Sequence, residues 1–153
     1  MITDLRIASR CCAVQLSRTL RAVALAGLVA CGGARATAPP PAKSVQMNAP
    51  GALVAIEAAL VPGYVTVVDF WGEHCGACEI VGAKLEEGVA TEPKILIRKI
   101  DVGDGFTPVA KTYDIGALPH FRVFDKRGNL RFVLVGNDTL KASEIAKALV
   151  AEP

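Results

Sequence analysis

The sequence lacks the features that would tie it to a transmembrane span, to nucleic acid or to haem. Between Arg21 and Arg35 only 13 residues lack charge, whereas a spanning helix needs about 20 apolar residues. The apolar run near the start is therefore too short for a stable span. Internal repeats and long blocks of like charge are absent. The formal net charge is +2, but residues 1–30 hold Arg6, Arg10, Arg18 and Arg21 against the single acid Asp4, so the remainder carries −1. No basic patch remains that would argue for a nucleic-acid partner. Haem attachment through C-x-x-C-H is excluded, because Glu79 stands where the histidine would be. Cysteines are few and odd in number, five, an awkward count for a protein in an oxidising compartment.

What is present begins with a leader. Its arginines precede the apolar run Ala22-Val23-Ala24-Leu25-Ala26-Gly27-Leu28-Val29-Ala30, the charged start and apolar middle of a secretion signal over residues 1–30. Leu28-Val29-Ala30-Cys31 resembles the lipobox of bacterial lipoproteins. That resemblance implies a Cys31 thiol acylated with diacylglycerol, which becomes the first residue of the mature chain and its membrane anchor. Ordinary signal cleavage is the alternative, since Ala34-Arg35-Ala36 and Ala36-Thr37-Ala38 also present small residues at the required spacing. The expected location is the cell envelope, lipid-anchored and facing the periplasm, or soluble in the periplasm after ordinary cleavage. In either case Cys11 and Cys12 leave with the signal. With Cys31 capped as a thioether, only Cys75 and Cys78 remain as thiols.

Residues 31–50 are rich in Ala and Pro, with Gly32-Gly33 near their start, and include Pro39-Pro40-Pro41. Such a stretch builds no core and favours extended conformations, so it is expected to be a tether before a domain at 51–153. Within that domain strands and helices alternate. Ala52–Leu60 has helical character, and Tyr64–Trp71 is a β-branched and aromatic run expected to be a buried central strand. A helix follows from Gly76 to about Val89, with Ile80, Val81, Leu85 and Val89 as its apolar residues. Ile95–Ile100, His120–Phe124 and Leu130–Val135 are further strands, the last two joined by a turn at Lys126-Arg127-Gly128-Asn129. Val109–Tyr113 is a short helix, and Thr139 is expected to cap a final helix ending near Val150. The order predicts an α/β fold with a parallel centre and an antiparallel hairpin at one end. An edge strand near Val45 is weakly signalled.

The chemistry-bearing string is Asp69-Phe70-Trp71-Gly72-Glu73-His74-Cys75-Gly76-Ala77-Cys78. It sets C-x-x-C at the junction of a buried strand and a helix. Free amides and the positive dipole end at a helix N-terminus favour thiolate over thiol at Cys75. Cys78 lies one turn on, where it can reach back to form a disulfide. Closing so short a loop contributes only about 2 kcal/mol, so a purely structural role for the pair is disfavoured. A carboxylate at Asp69, between Val68 and Phe70, is expensive to bury without purpose.

Across about residues 51–150 the chain resembles thioredoxin: Asp69-Phe70-Trp71 before the motif, Cys75-Gly76-x-Cys78, Leu118-Pro119 before the hairpin, Gly128 in the turn and Gly136 after the last strand. The resemblance implies a thioredoxin fold, a central mixed sheet with helices on both faces. It implies thiol–disulfide exchange with client proteins, with the Cys75–Cys78 disulfide as the redox centre and no added cofactor. Cys75 would be the nucleophile, Cys78 the resolving thiol and Asp69 the buried carboxylate that handles its proton. Trp71, His74, Gly76, Ala77, Leu118 and Pro119 would form the active-site surface, with Pro119 cis and the Leu118 backbone pairing with clients. A membrane or periplasmic donor would supply electrons.

Departures from the family pattern are as informative. Ala77 replaces the proline between the cysteines, His74 an aromatic residue, and Gly82-Ala83 the kink proline of the helix. The family's lysine near the buried acid is expected to be lost to Ile97. These changes favour extracytoplasmic thioredoxin-like proteins over a housekeeping thioredoxin, with a reductant role. The second class considered is copper or zinc handling through Cys75, Cys78, His74 and His120, since thiolates and imidazoles suit those metals.

Overall fold

A computed structural model describes residues 39–153. The expected signal segment and lipidated Cys31 lie outside the described residues. Five strands form one mixed sheet: β1 (Ser44–Gln46), β2 (Val65–Trp71), β3 (Ile95–Asp101), β4 (His120–Phe124) and β5 (Leu130–Val135). Their order is β1-β3-β2-β4-β5. β1 and β2 run parallel to β3, and β4 runs antiparallel to both β2 and β5. Three helices accompany the sheet: α1 (Gly76–Gly88), α2 (Pro108–Thr112) and α3 (Ala142–Ala151).

β2 is central because its side chains are apolar on both faces. Every residue from Val65 to Phe70 is buried, as expected of a strand covered on both sides. Val65 and Val67 pack with Val81 and Leu85 of α1, Ala146 and Leu149 of α3, and Phe121 of β4. Val68 and Phe70 point the other way, into a second cluster with Ile56, Ile100, Val102, Val109 and Phe124. Helices therefore cover both faces, as the resemblance to thioredoxin implies.

The weakly signalled edge strand exists. β1 falls inside the stretch expected to be tether and pairs Ser44–Gln46 with Ile97–Lys99, so the sheet begins before residue 51. Asn48 continues the pairing with its side chain, accepting from Asp101 N–H at 2.9 Å and donating to Asp101 C=O at 2.9 Å.

Three elements differ from expectation. Only Ile56–Ala59 of the expected helix Ala52–Leu60 is helical, as a single 3-10 turn. Tyr113 holds that turn from outside, accepting from Ile56 N–H at 3.0 Å and donating to Val54 C=O at 2.7 Å. Thr139 does not cap the last helix. It lies in a 3-10 segment, Gly136–Lys141, and its hydroxyl donates back to Gly136 C=O at 2.6 Å. Ile80 is 61% exposed, because the buried stripe of α1 runs through Cys78, Val81, Gly82 and Leu85.

Candidate active site

The end of β2 and the start of α1 build the reactive centre. Cys75 caps α1: its sulfur accepts from Cys78 N–H at 3.2 Å, and its carbonyl accepts from the amides of Cys78 and Glu79. Cys75 and Cys78 are joined as a disulfide, with Cα atoms 5.2 Å apart. The two sulfurs stand in unequal surroundings. Cys75 is half-buried and borders a groove, whereas Cys78 is buried. Gly76 and Ala77 between them are exposed. An amide donor already aimed at Cys75 Sγ favours a negative charge there once the disulfide opens.

The groove beside Cys75 is lined by Gly72, His74, Gly103, Asp104, Gly105 and Leu118. His74 is exposed on its rim, next to Glu73. Leu118 is half-buried, and its peptide bond to the buried Pro119 is cis. Trp71 ends β2 on the other side of the motif, where its indole N–H donates to Gln46 Oε1 at 3.1 Å. Lys99 Nζ stands 5.5 Å from the centre of the Trp71 ring.

Asp69 is 1% exposed, and its Oδ1 has no hydrogen-bond partner. It lies beneath α1 at Gly82, where a Cβ would stand 3.5 Å from Asp69 Oδ2. Burial pushes its carboxyl up to about 7, with Lys99 pulling down and Glu86 pushing up. A carboxyl titrating there can take and return a proton near neutral pH.

The expected loss of a lysine needs correction. Ile97 does sit opposite Val67, but Lys99 sits opposite Asp69 in the parallel register, and its charge acts on Asp69. Lys99 Nζ also lies 3.9 Å from Glu86 Oε1, which accepts from Ser44 Oγ at 3.2 Å. Strand alternation puts residues 97 and 99 on one face, so this replacement was open to sequence reasoning. Glu86 gave no such signal, because its part depends on how α1 crosses β3.

His120 is not brought to the cysteines. It is buried edge-on against Phe70, with ring centres 5.5 Å apart. Burial pushes its imidazole down, the Arg122 charge adds to this, and Asp114 opposes it. Among the described residues, no group of three or more His, Cys, Asp or Glu is placed to hold a metal ion.

A mixed sheet flanked by helices, with a closed cysteine pair at a helix N-terminus, defines a dithiol–disulfide protein of the thioredoxin fold. The chain belongs to the thioredoxin family: the model of the family described as Thioredoxin matches residues 57–150. It is 34% identical over 86 residues to thioredoxin of Chlamydia pneumoniae, covering 56% of this chain and 79% of that protein. It is 33% identical over 60 residues to thioredoxin of Mycoplasma pneumoniae, covering 39% of this chain and 58% of that one, less than two thirds of its length. Among solved structures, the reduced Schistosoma mansoni thioredoxin pre-protein superposes with a TM-score of 0.55 at 22% identity. That likeness covers 71% of this chain and 99% of that one and concerns the fold alone.

The raised Asp69 value fixes a sign for stability. A folded carboxyl near 7, against 3.8 ordinarily, stabilises the fold fully below the ordinary value and loses that contribution as pH rises through about 7. Asp69→Asn should therefore flatten this fall and gain on the wild type by roughly 3 kcal/mol between pH 5 and pH 8. Denaturant unfolding of both proteins at pH 5 and pH 8 reads the difference, in which the His120 contribution cancels. Equal pH slopes in the two proteins would contradict the assignment.

Proposed function

We propose that this chain is a thiol–disulfide oxidoreductase that reduces disulfides of extracytoplasmic client proteins through Cys75 and Cys78. The observation that carries the reading is the unequal setting of the pair, with Cys75 at the groove under an amide donor and Cys78 buried behind it.

The Cys75 thiolate attacks one sulfur of a client disulfide, and the client's S–S bond breaks as its other sulfur leaves as a thiolate. The Cys78 thiol then loses its proton to Asp69 and attacks Cys75 Sγ. The client's second thiolate is released, and the Cys75–Cys78 disulfide forms. Two electrons pass to the client, and a membrane or periplasmic dithiol donor returns them. The disulfide itself is the redox centre. Leu118 offers backbone to the client at the groove, Trp71 and His74 flank the motif, and Gly76 and Ala77 leave its face open.

The reductant direction rests on the motif. Neither Gly76 nor Ala77 carries a charge or an imidazole that would strongly stabilise a thiolate, which argues against a strong oxidant. Ala77 in place of proline loosens the turn and makes the disulfide easier to reduce than thioredoxin's. Equilibrated with glutathione buffers and read by Trp71 fluorescence, the pair should settle between about −270 and −180 mV, toward the reducing end. Cys75→Ser should show no exchange at all. A potential near about −120 mV would overturn the reductant role, and exchange by Cys75→Ser would overturn the activity.

The same proposal places the domain on a membrane through Cys31, with residues 1–30 removed as a lipoprotein-type signal and the following stretch as tether. The string Leu28-Val29-Ala30-Cys31 supports it, and two acyl chains suffice for stable attachment where one is marginal. The mature protein should partition into detergent and incorporate labelled palmitate, both abolished in Cys31→Ala. A soluble product beginning near Thr37 or Pro39 would instead establish ordinary cleavage.

A further inference from the structure

We propose that Phe106 is a specificity residue, a docking point for a large apolar side chain that a client carries beside its disulfide cysteine. The inference rests on the thiol–disulfide reading above and extends it to the choice of client.

Phe106 is 80% exposed, the most exposed of the large apolar side chains among the described residues. Water contact on an aromatic ring is unfavourable, yet the loop that carries this one is braced. Gly103 N–H donates to Asp101 Oδ1 at 2.7 Å, Gly105 N–H to Val102 C=O at 3.2 Å, and Phe106 N–H to Asp104 Oδ1 at 3.0 Å. Thr107 closes the far end, donating its hydroxyl to Val102 C=O at 2.8 Å while capping α2. Gly103 and Gly105 take positive φ, 61° and 84°, a backbone that L side chains rarely adopt. The loop is thus folded so as to hold the ring out.

The ring borders a groove of about 490 Å³ whose walls include Val102, Ile115, Ala117 and Leu118. That groove shares Asp104, Gly105 and Leu118 with the groove at Cys75. One continuous trough therefore runs from the reactive sulfur to the exposed ring. A client segment whose cysteine lies at Cys75 passes along Leu118 and brings a neighbouring side chain to Phe106. The trough is mostly apolar, and Asp104 is the one acidic side chain in its lining. Glu73 and Asp101 stand at its other end beside His74. An apolar side chain without an adjacent acid is the chemistry that fits.

The test uses the full-length chain in detergent and three oxidised probes. One is a disulfide-bonded peptide with leucine beside its cysteine, the second is the same peptide with glycine, and the third is hydroxyethyl disulfide. Pre-reduced wild type, followed in a single turnover, should reduce the leucine peptide with about tenfold higher second-order rate constant than the glycine peptide. Phe106→Ala should erase that preference, Phe106→Leu should restore most of it, and hydroxyethyl disulfide should be reduced equally by all three proteins. A leucine preference that survives Phe106→Ala would overturn the proposal. So would a loss in Phe106→Ala that is equal for all three probes, or a wild type indifferent to the two peptides. A wild type that reduces none of them would instead overturn the oxidoreductase reading on which the proposal stands.

Discussion

The reactive end of this molecule depends on the burial of β2 from both sides. Because Val65 to Phe70 are all enclosed, the strand emerges from the sheet at a single fixed point, and α1 starts there. That start aims the Cys78 amide at Cys75 Sγ and leaves Cys78 itself under the helix. The same enclosure forces a cost on Asp69, whose carboxyl has lost water and gained no partner for Oδ1. Core packing and redox chemistry are thus one arrangement. The valines that stabilise the sheet also create the low-dielectric setting that raises Asp69.

Charges near the sheet edge adjust that setting. Lys99 lies opposite Asp69, next to Glu86 and under the Trp71 ring, while Ser44 and Gln46 of β1 hold Glu86 and Trp71 in turn. β1 therefore does more than add three residues to the sheet. It fixes the polar side chains through which Asp69 meets solvent-facing charge. On the opposite side α1 passes over the carboxylate at Gly82, where a Cβ would stand 3.5 Å from Asp69 Oδ2. Lys99 and Glu86 act on Asp69 in opposite senses, so their ion pair holds the carboxyl between the two extremes.

Much of this was legible in the sequence, for definable reasons. β4 and β5 sit where the alternating runs and the Lys126–Asn129 turn put them, because local turn chemistry and strand pattern agree. The cysteine pair at a strand–helix junction was legible because the β-branched and aromatic run ends at Trp71 and a helical stretch begins at Gly76. The segment before β2 was not: Ala52–Leu60 has helical composition, but Tyr113 and the second core cluster hold it as one turn within an extended chain. Thr139 failed as a helix start because its hydroxyl is satisfied inside the preceding 3-10 turns. His120 looked available to the cysteines only because it follows Pro119, whereas its strand position turns it into the Phe70 cluster. Lys99 shares a strand face with Ile97 and was open to the same reading, whereas its place opposite Asp69 depends on the register between β2 and β3. Phe106 carried no motif, and its exposure follows from how the loop is braced.

An amide aimed at Cys75 Sγ and a buried Cys78 make the first cysteine the ready thiolate and hold the second in reserve. Alkylation of the reduced protein with iodoacetamide across pH 5 to 10, with the adduct located by peptide mass, reads this asymmetry. Modification should fall almost wholly on Cys75, with a midpoint below the roughly 8.5 of a free cysteine, and Cys78 should react only on unfolding. Equal labelling of both cysteines, or a Cys75 midpoint at the free-thiol value, would contradict it.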